Sequence, residues 1–133
     1  MKRAVSTILV RYLEVDRMGV AHHSHYLAWF EVGRTDLLKS LGCTYDEMES
    51  EGVYLPVVEV SCLYRAPVRY DDLLEVETLL ADVSGSRVTF EYRLRKQGEE
   101  AVLAEARTVH ATVNRESQVI RLPAPYRDLL VRP

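Results

Sequence analysis

The sequence predicts an α+β fold in which one antiparallel sheet curls around a single long helix. Two observations carry this prediction. Apolar residues recur at steps of three and four between positions 26 and 41, which is the period of a helix with one buried face. Beyond Gly52 the pattern changes to four extended segments, and one further strand stands ahead of the helix. The helix stripe and the inner face of the sheet both need burial, and packing one against the other satisfies both.

The composition describes an ordinary globular chain, which we expect to form one domain over residues 1–133. Hydrophobic residues make up 47% and charged residues 28%, which excludes a disordered or fibrous protein. No apolar run approaches the ~18 residues that cross a bilayer, so we expect no membrane span. A formal charge of -3 gives no basic field and argues against nucleic acid as a partner. Cys43 and Cys62 form no disulfide framework, which favours a reducing, cytoplasmic location.

The first half of the chain reads as a strand, a loop and the long helix. β-Branched residues favour a strand over residues 5–11. A polar loop leads to Ser24, whose hydroxyl is able to cap the helix that follows. Gly42 ends this helix, and a second short helix is expected over residues 45–51. The apolar stripe of the long helix consists of Tyr26, Trp29, Phe30, Gly33, Leu37 and Leu41.

The second half of the chain reads as four strands and a short terminal helix. In the third strand apolar residues alternate with polar ones, as in a strand with one solvent-exposed face. Gly85 and Gly98 stand in the turns between consecutive strands, which predicts antiparallel pairing. Proteins pair or cover long edge strands, so we expect a homo-oligomer joined through an edge. The four strands are predicted at residues 53–64, 73–83, 87–97 and 101–114.

The loop ahead of the long helix concentrates ionisable side chains. Residues 16–26 read DRMGVAHHSHY, a cluster that first suggests a metal site. Zinc-binding helices commonly place two histidines four residues apart, whereas His22, His23 and His25 are separated by one and two positions. Neighbours that close do not all converge on one ion, and no distant cysteine or carboxylate pair completes a ligand set. We therefore expect neither a metal nor another cofactor.

The loop and the helix together carry a longer pattern, Y-x-x-x-D-x-x-G-x-x-x-H-x-x-Y. With the order of strand, loop, helix and four strands, it resembles the hotdog-fold acyl-CoA thioesterases of the 4-hydroxybenzoyl-CoA thioesterase type. The resemblance implies a five-stranded antiparallel sheet wrapped around a central helix, dimers or tetramers with active sites at subunit interfaces, and metal-free hydrolysis of an acyl-CoA thioester. His25 stands where many relatives have Asn. The matching residues are Tyr12, Asp16, Gly19, His23 and Tyr26, followed on the helix by Phe30, Glu31 and Arg34.

Three loop residues fit the chemistry that the resemblance implies. Asp16 would act as general base toward a water or attack the thioester carbonyl itself, and the sequence leaves both open. The amides around His23 open the helix at the positive end of its dipole, where they fit an oxyanion hole. Gly19 would let the loop turn back toward the helix start. Without the motif, Asp16 reads as a turn former and the His23 ring as a structural group.

Glu31 is the rival catalytic carboxylate. A related branch of hotdog thioesterases takes this group from the central helix, about two turns in. The alternative for Glu31 is a surface pair with Arg34 at i to i+3. We favour Asp16, because the loop motif belongs to its branch.

Substrate binding calls for an acyl pocket and for cations. Tyr26 is by default a core residue, but it lies near enough to the helix start to reach an acyl pocket. Coenzyme A is part of the substrate, and the candidates for its phosphates are Arg65, Arg87, Arg95 and Lys96. Nothing in the sequence identifies the acyl group. Two other functions stay open, a hotdog dehydratase or hydratase that acts on an enoyl thioester and a non-catalytic acyl-CoA-binding domain.

Overall fold

The computed structural model describes residues 2–133, which form one five-stranded sheet and three helices. All strands pair antiparallel, in the order β1-β3-β4-β5-β2. One turn of 3-10 helix, Tyr12–Glu14, lies between β1 and α1. The elements are β1 (Arg3–Leu9), α1 (Ser24–Ser40), α2 (Tyr45–Ser50), β2 (Val57–Tyr64), β3 (Leu73–Ser84), β4 (Arg87–Lys96), β5 (Val102–Ala111) and α3 (Ala124–Val131).

The sheet covers α1, as the α+β hotdog prediction requires. Side chains alternate along β4, so that Phe90, Tyr92 and Leu94 are buried in the core. The ring of Phe30 on α1 stacks on that of Tyr92, with 4.8 Å between centroids and 29° between planes. The helix packs mainly against β1 and β3, and it reaches β4 through this aromatic pair. The fold class is thus confirmed.

The helix stripe is buried as its period predicts, with small differences at the two ends. Leu41 lies just beyond the last helical residue and is half-buried, whereas Leu38 is buried. The prediction that Ser24 caps α1 is wrong, because His23 occupies the cap position and Ser24 is the first helical residue. The Ser24 hydroxyl instead lies 2.8 Å from Nδ1 of His22.

Strand β2 begins at Val57, four residues later than predicted. Pro56 has no amide to donate to a ladder, and the carbonyl of Leu55 is bonded to Nδ1 of His110 at 2.9 Å. Tyr54 pairs only in an isolated bridge with Val113. β5 is likewise shorter at both ends than the predicted segment. Within residues 2–133, the helices are too short or too polar to cross a bilayer.

Candidate active site

The loop between β1 and α1 closes into a tight turn at Asp16. The Asp16 amide donates to the carbonyl of Val20 at 2.9 Å, and the Gly19 amide donates to the carbonyl of Asp16 at 3.0 Å. Gly19 has a φ of 75°, a left-handed conformation that L side chains rarely adopt. Nothing lies within 4 Å of the position that a Cβ of Gly19 would take. A larger residue here would therefore be disfavoured by the backbone conformation and not by a clash with neighbouring atoms. This turn directs the chain back toward α1.

Backbone amides orient the Asp16 carboxylate. Its Oδ1 accepts from the amides of Met18 at 2.8 Å and Val20 at 3.1 Å. Its Oδ2 has no hydrogen-bond partner within the described part of the chain, and the side chain is exposed. One oxygen is therefore held in place while the other is available to a ligand.

Asp16 lines an open groove of about 430 Å³ between two loops. The amide of Ala21 donates to the carbonyl of Val68 at 2.7 Å, and the amide of Tyr70 donates to that of Gly19 at 3.0 Å. These two bonds tie the loop before α1 to the chain that follows β2. The other lining residues are Val20, Ala21, His22, His23 and Tyr26 on one side and Tyr64, Arg65, Ala66 and Pro67 on the other.

His23, at the start of α1, lines this groove and has an unsatisfied backbone amide. The amides of His25 and Tyr26 donate to the carbonyls of His22 and His23, and the Ser24 amide donates weakly to Nδ1 of His22 at 3.3 Å. The His23 amide has no acceptor among residues 2–133. It also lies at the positive end of the helix dipole, so it is a suitable donor to a developing negative charge.

Two tyrosines form the apolar wall of the groove. The rings of Tyr26 and Tyr64 meet edge to face with 4.8 Å between centroids. Burial raises the pKa of Tyr26 above its usual value, with the Cys62 thiol adding to the effect, so the Tyr26 hydroxyl stays neutral. Tyr64 closes the side opposite α1, and the sequence did not single it out. Its position at the end of β2 becomes visible only when β2 and the helix start are brought together.

Sequence reasoning also missed Glu14, a buried carboxylate two residues before Asp16. Its side chain is 2% exposed. It accepts from the amide of Arg11 at 2.8 Å and from Nε1 of Trp29 at 2.9 Å. A buried indole N–H usually finds a partner, so Trp29 in the helix stripe indicated an acceptor without identifying it.

Glu31, the rival carboxylate, lies exposed on α1 and does not line the groove. The pair that we considered between Glu31 and Arg34 does not form. Arg34 is buried and donates instead to the hydroxyls of Tyr45 at 2.8 Å and Tyr92 at 3.1 Å.

The four candidate cations occupy different positions along the sheet. Arg65 lines the groove and is paired with Glu105 at 2.6 Å. Arg95 and Lys96 lie at the same end of the sheet. Arg87 begins β4 at the opposite end, roughly 26 Å of extended strand away from Arg95. One chain therefore does not bring Arg87 to the groove.

The histidine cluster does not converge on a common point. The ring centroids of His22 and His23 are 4.2 Å apart, and those of His22 and His25 are 6.3 Å apart. No three histidine, cysteine or acidic side chains in residues 2–133 are arranged to hold a metal ion.

Comparison with known proteins assigns the chain to a family. The profile of the Thioesterase-like superfamily matches residues 10–130. A Bacillus subtilis (strain 168) protein named putative acyl-CoA thioesterase YneP is 39% identical over 110 residues, covering 83% of this chain and 79% of its own. The hypothetical protein TT1821 from Thermus thermophilus superposes with a TM-score of 0.88 at 39% identity over 95% of both chains. A DHNA-CoA thioesterase from Staphylococcus aureus gives a TM-score of 0.89 at 29% identity over 96% of this chain and 86% of that one. The chain therefore belongs to the thioesterase-like superfamily, in the family of hotdog-fold acyl-CoA thioesterases.

Proposed function

We propose that this chain hydrolyses an acyl-CoA thioester in the groove between the Asp16 loop and the end of β2. One observation carries the assignment. An oriented carboxylate with a free oxygen and an amide without an acceptor, those of Asp16 and His23, line the same groove. The family to which the chain belongs supports thioester chemistry there.

The steps that make and break bonds use a water, the Asp16 carboxylate and the start of α1. The His23 amide donates to the thioester oxygen, and one good donor of this kind contributes ~3 to 4 kcal/mol to transition-state stabilisation. The free oxygen of Asp16 takes a proton from a water that attacks the carbonyl carbon. The carbon–sulfur bond then breaks, and the coenzyme A thiolate recovers the proton. In the nucleophilic variant the same oxygen attacks the carbon and the coenzyme A thiolate leaves; water then hydrolyses the resulting anhydride, and the proton that this step releases goes to the thiolate.

Arg65 is our candidate for a coenzyme A phosphate, because it is the cation that lines the groove. Its present partner, Glu105, lies on the exposed face of the sheet, where replacing this ion pair by one with a phosphate costs little free energy. Arg95 and Lys96, which are paired with Glu77 and Asp72, lie at the same end of the sheet and are further candidates. Arg87 stays a candidate only for a substrate that also contacts a second subunit.

A second subunit completes the site in this proposal. β2 is an edge strand with a row of exposed apolar residues: Val57, Val58, Val60, Leu63 and Tyr64. Antiparallel pairing of two β2 strands about a two-fold axis would put the Tyr64 end of one strand beside the Val57 end of the other. The groove would then continue into a second groove of about 440 Å³, lined by Tyr45, Tyr54, Leu55 and Pro56, which we assign to the acyl group. The assembly is a dimer or a dimer of dimers.

A metal-free reaction in the cytoplasm belongs to the same proposal. Coenzyme A enters only as part of the substrate. Cys43 and Cys62 are free thiols, a state that a reducing compartment maintains.

A thiol-release assay over short, medium, long and aromatic acyl-CoAs tests the assignment. Asp16→Asn is expected to lower kcat roughly 100- to 10,000-fold, the usual contribution of a general base. The matched charge change Glu31→Gln should leave kcat near that of the native chain, and a chelator should have no effect.

His23→Ala separates the amide from the ring in the same assay. This variant keeps the backbone donor, so it should retain kcat within a few fold of the native value. Loss of turnover in Glu31→Gln but not in Asp16→Asn would reassign the catalytic carboxylate. If the native chain binds acyl-CoA but releases no thiol, the chain is a non-catalytic acyl-CoA-binding domain.

A further inference from the structure

Glu14 is a buried acid that the reaction as described does not use. Its carboxylate accepts three bonds, from the amide of Arg11 at 2.8 Å, from Nη2 of Arg11 at 3.3 Å and from Nε1 of Trp29 at 2.9 Å. Burial by itself raises the pKa of Glu14, but the donors of Arg11 and Trp29 outweigh it, and the pKa lies below its usual value. Glu14 is therefore a charged group inside the protein.

These bonds connect the two elements that supply Asp16 and His23. Trp29 lies in the second turn of α1, so its bond to Glu14 joins the helix to the loop that carries Asp16. The carbonyl of Glu14 accepts from the amide of His22 at 3.1 Å, directly before the His23 donor. Val15 and Ala21 form a bridge beside this bond. Glu14 thus contacts the helix, and its backbone contacts the segment that leads into it.

We propose that Glu14 is a positioning residue for thioester hydrolysis, and that its bond to Trp29 fixes the Asp16 carboxylate relative to the His23 amide. This role rests on the proposed function, because it presupposes that Asp16 and His23 act on the substrate. The rate depends steeply on the distance between reacting groups, since a displacement of about 1 Å lowers it by about 100-fold. An apolar residue would fill the space of Glu14 but would bond neither the indole nor the Arg11 amide.

The test is a cycle of Glu14→Met, which leaves no acceptor for the indole, Trp29→Phe and the double variant, with kcat and KM measured separately. Glu91→Met is the matched control, because Glu91 lies on the outer face of β4, away from the groove. Each single variant is expected to lower kcat roughly 10- to 100-fold while KM stays within about threefold. The double variant should lose no more than the worse single variant, because both remove the same bond. Urea unfolding checks that every variant is folded at the assay temperature.

Three results would overturn the role of Glu14. They are a native kcat in Glu14→Met, a loss of kcat that only follows the unfolded fraction, and losses that multiply in the double variant. Asp16→Asn, assayed in parallel, separates the two proposals. If Asp16→Asn is inactive and Glu14→Met is native-like, positioning by Glu14 is wrong and the proposed function stands. If Asp16→Asn is fully active, the proposed function itself is wrong.

Discussion

His110 on β5 is kept neutral by the residues around it. Its side chain is 0% exposed, with Nδ1 2.9 Å from the carbonyl of Leu55 and Nε2 2.9 Å from Oγ1 of Thr108. A carbonyl only accepts, so Nδ1 carries the proton and Nε2 accepts from the Thr108 hydroxyl. That hydroxyl accepts in turn from Tyr92 at 2.6 Å, and Tyr92 accepts from Arg34. Protonation of Nε2 would break this ordered chain.

The chain of bonds predicts a loss of stability in mild acid. Burial lowers the pKa of His110 to about 4, so between pH 6.5 and 4 the unfolded state binds a proton that the folded state does not. Stability is therefore full above pH 6.5 and falls as the pH falls, by about 2 kcal/mol from pH 7 to pH 5. Urea unfolding at the two pH values measures this difference.

Two comparisons isolate His110 in that experiment. His110→Gln should be less stable at pH 7 and should lose less on going to pH 5, whereas the exposed His23→Gln should behave like the native chain. Glu14 and Glu77, whose pKa values are lowered, destabilise the fold only below about pH 4.5 when they are protonated. An equal pH dependence in native protein and His110→Gln would show that another group titrates.

At the scale of residues, the sequence predicts the local part of the site. Asp16, Gly19 and His23 lie within eight positions of one another, and their spacing alone brings them to one loop. Glu14 and Tyr64 could not be found in this way. Their roles depend on contacts with Trp29 and Tyr26, which packing creates across helix, loop and sheet.

At the scale of elements, α1 approaches β3 closely at Gly33. A Cβ on Gly33 would meet Oγ1 of Thr78 and would lie 2.9 Å from Cγ1 of Val76. Contacts this short force a shift of the helix or of the strand. The absence of a side chain therefore sets the distance between helix and sheet.

Gly33→Ala is accordingly expected to destabilise the protein. Alanine favours the helix by about 1 kcal/mol over glycine, but overpacking costs about 1 to 3 kcal/mol, so the net change should be unfavourable. Thr78→Ala removes one of the two obstacles, and Gly33→Ala combined with it should recover part of the loss. Urea unfolding of the three variants measures these changes. Higher stability in Gly33→Ala alone would mean that helix propensity outweighs the contact.

Periodicity predicted the existence of the elements better than their ends. The alternation in β4 and the stripe on α1 report which side chains face the core, and the structure follows both. The start of β2 depends instead on long-range hydrogen bonds, because the carbonyl of Leu55 accepts from Nδ1 of His110. The cap of α1 likewise depends on the ring of His22, which binds the Ser24 hydroxyl.

At the scale of the whole molecule, the sheet ends in two different edges. β1 forms one edge and β2 the other. On β2, seven of the eight residues are exposed, whereas β1 alternates with Ser6 buried. A strand exposed on both faces and rich in valine is the better pairing surface, and natural proteins rarely leave such an edge open. The groove of the site lies at the end of this same strand, so association and activity should be coupled.

Val60→Lys on β2 and Val5→Lys on β1 test that coupling as a matched pair. The two valines are 44% and 48% exposed, so neither lysine should unfold a single chain. Val60→Lys puts two like charges into the proposed two-fold contact, so an oligomer formed through β2 should shift to a monomer in sedimentation velocity. Because the monomer lacks the second half of the acyl groove, kcat/KM should fall at least roughly 10-fold, while Val5→Lys keeps both assembly and activity. A monomeric native chain, or an oligomer broken only by Val5→Lys, would remove β2 as the interface. An active monomer of Val60→Lys would mean instead that the groove of one chain suffices for hydrolysis.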